Sequence, residues 1–502
     1  MTSHYRFVAF PLALVFLLLG VSLVSAQDLA AFEERVTEFT LDNGMTFLVL
    51  ERHEAPVATL LTFAEVGSVD EQRGRTGLAH LFEHMAFKGT TTIGTTDAAA
   101  ERKLLDQMDE IFNEIRTERL QADPNETQIQ TRATQLQALQ QQAHALLVPG
   151  EFQQALKQAG GADLNAGTGF DSTVYYVSLP SNKIELWMSL ESDRFLDPVL
   201  REFYKEKDVV MEERRLRVES DPVGRMLEEF LGLAYKAHPY GTTIVGHMSD
   251  LEALTRAEAE AFFHRYYGPG NLTVAIVGDV DPVQIETLAE KYFGRIEARP
   301  KPDPVTTVEP AQLGERRVVL QDPSQPFVLI GYHKPNVLHS DSATLDAVTD
   351  IMGVGRTSRL YHRLVKQDRV AVYASALQGY PGNKYPGLFL FYAVPARDHT
   401  NTESLAALED EIERLKTESV SDEELKKAKT RARADLIRSL ASNNGLAQQL
   451  AYYQVITGDW RNLFKRLEKI DTVTAKDIQR VANAYFTTKN RTVGLIETES
   501  TP

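Results

Sequence analysis

No cysteine occurs among the 502 residues, which excludes disulfides, thiol catalysis, thiolate metal sites and a lipid-modified cysteine behind an export signal. Beyond residue 26, no stretch approaches the run of about eighteen apolar residues that a membrane-spanning helix needs. Basic runs are also missing, and 54 Lys and Arg against 70 Asp and Glu leave a formal charge of −16. An acidic chain without basic clusters is unsuited to phosphate backbones, so no nucleic acid is expected as a partner. Neutral or basic substrates suit it better. The 43% hydrophobic and 25% charged content excludes a disordered or fibrous chain and allows two to four domains with buried cores.

Residues 1–26 differ from the rest. Arg6 gives a positive start, Phe7 to Val24 is almost wholly apolar, and Val24-Ser25-Ala26 supplies small residues for a signal peptidase. The segment reads as a cleaved export signal, with an uncleaved anchor as the alternative because the run is long enough to span a bilayer. Cleavage removes only Arg6 among the charges and takes −16 to −17. The expected location is the periplasm, then secretion, then a signal-anchored state. No membrane attachment is expected after cleavage.

Arg299-Pro300-Lys301-Pro302-Asp303-Pro304 cannot continue a helix or central strand. It divides the chain into 27–298, a linker at 299–310, and 311–502. The two sides share a unit. Thr255 to Glu258 leads to Asn271-Leu272-Thr273-Val274, and Thr474 to Asp477 leads to Asn490-Arg491-Thr492-Val493, at a constant offset of 490 − 271 = 219. Each copy has a threonine N-cap with an acid three residues later, an amphipathic helix ending in Tyr266-Tyr267 or Tyr485-Phe486, and then a β-branched strand. The repeat predicts duplication. Strands over Phe39 to Leu50, Ala58 to Val66 and Val174 to Leu179 mix with helices without regular alternation. The expected class is therefore α+β, with two homologous halves, each a mostly antiparallel sheet with packed helices.

One segment stands outside this plan. Leu104, Leu105, Met108, Ile111, Phe112 and Ile115 recur at helical spacing, as do Ile129, Leu136, Leu139 and Leu146, around the turn Ala122-Asp123-Pro124-Asn125. This predicts an inserted helical hairpin at about 98–148, with its apolar stripe packed inward.

The chemistry begins at His80-Leu81-Phe82-Glu83-His84. Histidines four apart on a helix share a face and can direct two imidazoles at one ion, with Glu83 beside them. A catalytic zinc takes three protein ligands and keeps a position for water. Without cysteine, the third is expected to be a carboxylate. On the helix expected over Phe203 to Glu213, Glu206 and Glu213 share a face, and periodicity does not choose between them.

The stretch Gly77 to Thr90, with Gly160-Gly161, Asn165-Ala166, Thr168, Thr173, Tyr175, the Glu206 to Glu213 segment, His238-Pro239-Tyr240-Gly241 and Gly278-Asp279, resembles the inverted-motif zinc peptidases of the pitrilysin and insulinase family. That family includes the mitochondrial processing peptidases. The likeness covers nearly all of the chain after residue 26. It implies one Zn2+ per chain held by His80, His84 and Glu213, with Glu206 as a supporting acid and Glu83 as the general base that activates water. It also implies an edge strand over 160–166 that pairs with extended peptide substrate, contributing Asn165 and Ala166. The gap of 213 − 84 = 129 residues exceeds the family's usual gap of about eighty by roughly the length of the hairpin.

The second half carries Asp346, Thr349 and Asp350 where its zinc helix would place histidine, base and histidine, so no metal is expected there. Relatives acting on peptides hold substrate with an arginine and a tyrosine seven positions later, after a glycine-rich loop. That loop is recognisable here as Gly353 to Leu360, but Val365 and Val372 occupy the two positions. Arg363 and Tyr373, ten apart, fit poorly. The resemblance thus implies a heterodimer in which a partner subunit supplies the pair, with a homodimer as second choice. A non-catalytic scaffold role, known in the same family, is the alternative function. Metal storage suits a single site with an adjacent base poorly.

Overall fold

The computed structural model describes residues 32–498. The expected export signal lies outside the described residues. Among the described residues, no helix is long and apolar enough to cross a membrane.

The first half runs β1 (Val36–Thr40), β2 (Thr46–Glu51), β3 (Val57–Ala64), α1 (Leu78–Met85), α2 (Ala98–Arg119), α3 (Glu126–His144), α4 (Glu151–Gln158), β4 (Ala162–Thr168) and β5 (Thr173–Pro180). It continues with α5 (Ile184–Leu196), α6 (Phe203–Arg214), α7 (Pro222–Ala234), α8 (Met248–Ala253), α9 (Arg256–Tyr266), β6 (Leu272–Gly278) and α10 (Pro282–Phe293). The second half contains β7 (Arg316–Asp322), β8 (Phe327–Lys334), α11 (Ser342–Gly353), β9 (Ala371–Tyr380) and β10 (Gly387–Pro395). It closes with α12 (Asn401–Thr417), α13 (Asp422–Ser439), α14 (Asn443–Thr457), α15 (Asn462–Thr472), α16 (Ala475–Tyr485) and β11 (Arg491–Thr498).

The sheets are ordered β1-β2-β6-β3-β5-β4 and β7-β11-β8-β10-β9. Only the β2–β6 and β7–β11 pairs are parallel. Apart from β1, the second order repeats the first, so the fold is α+β with two homologous halves. The shared unit is built from side-chain caps: Thr255 and Thr474 each accept from the backbone three residues on, while Glu258 and Asp477 reach back. These reciprocal bonds satisfy amides that a bare helix start leaves open.

Each half covers the other's sheet with one of its helices. Met226, Phe230, Leu231 and Ala234 of α7 are buried with Leu329, Leu388, Leu390 and Ile496 of the second sheet. Leu446, Ala447, Leu450 and Ala451 of α14 are buried with Leu48, Leu61, Phe63 and Val277 of the first. The approach of α7 needs glycine beneath it: a Cβ at Gly331 would lie 2.7 Å from Phe230, and one at Gly494 2.6 Å from Met226. A second tie is Asp171, buried near the junction, which accepts from the Tyr240 hydroxyl and the backbone amides of Asn383 (2.7 Å) and Lys384 (3.0 Å).

One sequence expectation is corrected. Phe39 to Leu50 is not one strand but the hairpin β1–β2. Gly44, at φ +92°, makes the turn that closes with Gly44 N–H donating to Leu41 O at 2.8 Å. Asn43 anchors it by donating to the carbonyls of Phe293 and Ile296. Asn-Gly is a strong turn signal, because both residues tolerate positive φ.

Helices α2 and α3 form the hairpin insertion. Leu105, Met108, Phe112 and Ile115 are buried in the core of the first half, and Arg132 bridges the two helices to Glu114 at 2.7 Å.

Candidate metal centre

Helix α1 is placed from both ends. Leu78, Ala79, Leu81, Phe82 and Met85 are buried, with the Phe82 ring 4.3 Å from that of Tyr267. Gly77 precedes the helix at φ +89° and no side chain at that position caps it. The orphan amides are satisfied from a distance: the buried Glu71 carboxylate accepts from Gly77 N at 2.8 Å and Ala79 N at 2.7 Å. Burial pushes the Glu71 carboxyl up to about 8 in spite of these bonds.

On the side of α1 that faces α6, the buried His80 and the half-buried His84 present Nε2 atoms 3.6 and 3.5 Å from the same oxygen, Glu213 Oε2 of α6. The other Glu213 oxygen meets Arg217 at 2.9 Å. Ligands bonded at about 2.0–2.1 Å in a tetrahedron stand roughly 3.3 Å apart. Two imidazole nitrogens and a carboxylate oxygen at the observed spacing therefore fit one zinc ion with a position left over. Among the described residues, His80, His84 and Glu213 are the one histidine and carboxylate group that comes together in this way.

The surroundings orient this set. His84 Nδ1 lies 3.4 Å from Glu206 Oε2, while Lys88 Nζ donates to Glu206 Oε1 at 2.5 Å and to Glu202 at 3.0 Å. Burial alone would raise the Glu206 carboxyl, but the hydrogen bonds to His84 and Lys88 win and hold it down to about 2. The hydrogen bond to Glu206 raises His84 against its own burial. Burial lowers His80, which keeps that imidazole neutral and able to ligate.

Glu83 is directed elsewhere and accepts from Thr168 Oγ1 of β4 at 2.7 Å. Thr168, through Glu83, and Lys88, through Glu206, touch the candidate site, and neither has a role assigned from the sequence. Their signal was position alone, since both belong to the stretches that carry the resemblance. Asn165 and Ala166 lie on β4, at the edge of the first sheet, paired with Tyr176 and Tyr175 of β5 on one side only. A bulge at Asp163, φ +55°, interrupts the strand before them. Neither residue joins the metal-ligand group.

At the corresponding place in the second half, α11 packs against α13 as α1 does against α6. Asp350 is held by Arg431 at 2.9 Å through both oxygens, and Asp346 by Arg466 at 2.6 and 2.5 Å. Ion pairs thus occupy the position of the ligand set. Val365 lies in the helical turn Tyr361–Gln367, and Val372 is exposed at the start of β9. Arg363 pairs with Asp368.

The family model "Insulinase (Peptidase family M16)" matches residues 47–105 and 148–247, and "Peptidase M16 inactive domain" matches residues 253–432. The interruption between 105 and 148 falls on the hairpin. The chain is similar to "Zinc protease PqqE" of Helicobacter pylori, at 28% identity over 93% of this chain and 94% of that protein. Among solved structures, a protease from Helicobacter pylori matches with TM-score 0.77 at 27% identity, covering 92% of this chain and 99% of that one. A peptidase M16 inactive domain from Pseudomonas fluorescens matches in fold, with TM-score 0.73 at 16% identity over 93% of this chain and 98% of that one.

Proposed function

The chain belongs to the insulinase family of peptidases, and from that premise we propose that it is a zinc-dependent endopeptidase acting on peptides or small unfolded proteins. The observation that carries this reading is the convergence of His80, His84 and Glu213 beside an unliganded Glu83. His80 and His84 would hold one zinc with Glu213, whose Oε2 both Nε2 atoms face. The ion, when bound, acidifies a water and polarises the scissile carbonyl.

Glu83 takes a proton from water at its carboxylate and passes it to the leaving amine. Thr168 orients that carboxylate through its hydroxyl, and so ties the base to the edge strand. Asn165 and Ala166 present the free side of β4 to the backbone of an extended peptide. Glu206 orients His84, and Lys88 orients Glu206. We further propose export, on the signal-like residues 1–26, and a partner subunit that supplies the missing arginine and tyrosine.

Glu83→Gln keeps the ligand set and removes the base. Metal analysis of this variant should return one zinc per chain, with turnover reduced by about 10²–10⁴-fold or more. A variant that retains zinc and cleaves peptides at the parent rate would sink the assignment. A zinc-loaded parent chain that cleaves nothing, with or without its partner, would favour the scaffold role instead.

A further inference from the structure

The hairpin insertion does more than fill a gap in the alignment with relatives. It is fastened to the site at several points. Arg201, 1% exposed, donates to Glu101 of α2 at 2.9 and 3.1 Å and to the carbonyls of Lys88, Thr90 and Ile93 in the segment that follows α1. Asp109 of α2 accepts from Tyr204 at 2.7 Å and from Arg256, and the Lys207 ammonium sits 3.8 Å over the Phe112 ring. The hairpin is therefore held against α6, the helix that carries Glu206 and Glu213.

Between hairpin and helix lies a cavity of about 540 Å3, with Leu105, Met108, Ala143, Leu147 and Phe203 among its walls. A second cavity, of about 460 Å3, reaches Glu83, His84 and Glu206. His144, Leu147, Glu202 and Lys205 line both, so the two spaces adjoin. Charged groups of the lining are already matched: Glu101 of the hairpin with Arg201, and Glu202 at the start of α6 with Lys88 and Lys205. What the chamber offers is an apolar lining with a glutamine rim at Gln137, Gln140 and Gln141. Such a space binds neutral apolar groups and leaves a charged one unpaired.

We propose that this chamber is a specificity pocket of the peptidase site, taking a large apolar or aromatic side chain of the substrate. The proposal rests on the peptidase reading above. Phe203 of the pocket wall and Glu206, which lines the cavity that reaches the site, lie on the same helix, three residues apart. The pocket adjoins the site through the second cavity without lining Glu83 or the ligand group itself, so it receives a side chain removed from the scissile bond. The match in sequence to the family stops at residue 105 and resumes at 148, so this selectivity belongs to the insertion.

The test uses the full chain, zinc-loaded, as Glu83→Gln. A set of decapeptides carries the photoreactive apolar residue benzoylphenylalanine at each position in turn, and the crosslinked residues are mapped by mass spectrometry. One or two adjacent peptide positions should label residues 104–108 or 136–147. Ala143→Phe, and Gln140→Trp as a second obstruction from the rim, should each cut that labelling at least tenfold while zinc content stays at one per chain. Labelling that never reaches the hairpin, or that survives both obstructions, overturns the proposal. Cleavage of the parent peptide by the unmodified chain, alone and with its partner, is scored separately. Failure there counts against the peptidase reading and leaves the crosslinking result to decide the pocket.

Discussion

Glu206 divides its carboxylate between two neighbours, Lys88 on Oε1 and His84 on Oε2. Its folded value of about 2 lies below the ordinary 4.5. Between about pH 5 and 2, the folded chain therefore binds fewer protons here than the unfolded chain, and stability falls as the pH is lowered through that window. The side chain is partly solvated, so the contribution is on the order of 1–2 kcal/mol. In metal-free protein, chemical denaturation at pH 7 and pH 4 should show a smaller acid loss for Glu206→Gln than for the parent. Equal losses would mean that His84 and Lys88 do not hold this acid in the folded state. Read from sequence, Glu206 and Glu213 were indistinguishable by period, because both project from one face of a helix. Only the packing of α6 against α1 separates them, bringing Glu213 to Nε2 and Glu206 to Nδ1. The spacing of His80 and His84 is local and so was legible; the Thr168 to Glu83 bond joins residues 85 apart and was not.

At the scale of the element, α1 depends on a cap supplied from outside it. A helix preceded by glycine in the left-handed region has no side chain at its own start, and Glu71 substitutes for one. Glu71→Ala removes two acceptors and should cost about 0.5–2 kcal/mol. Because the loosened amides belong to the turn that carries His80, zinc affinity should fall in the same variant. Competition with a fluorescent chelator measures it, and unchanged affinity would show that the turn is held by packing alone. Elements of this kind were legible where their signals were sequential. The twin helices α9 and α16 announce themselves by threonine caps and aromatic ends, and the hairpin by two periodic stretches around a turn. The β1–β2 turn is masked in the sequence because Phe39, Leu41, Met45 and Phe47 keep a strand's period of two on both sides of Asn43-Gly44.

The whole molecule is interlocked by exchange. Gly494→Val would drive a branched side chain into Met226 and Phe230, and overpacking of this kind costs about 1–3 kcal/mol. Thermal unfolding should then begin at a lower temperature for both halves together, since α7 is part of one half and the cover of the other; a loss confined to the second half would contradict the exchange. Substrate grip is a property of the same scale. With valine at 365 and 372, the purified chain should turn over peptide slowly, and mixing with a partner that carries the arginine and tyrosine should raise the rate. Full activity of the isolated chain would remove the need for one. No periodicity within a half could have revealed the exchange, because a helix buries the same apolar stripe whichever sheet receives it.

The ion pairs on α11 make the second half a blank for the first. One chain holds the same helix packing twice, once closed by histidine and glutamate around a place for an ion, and once by aspartate and arginine alone. The zinc proposed for the first copy has no counterpart in the second, so a chelator should act on one copy and pass over the other, which then serves as its reference.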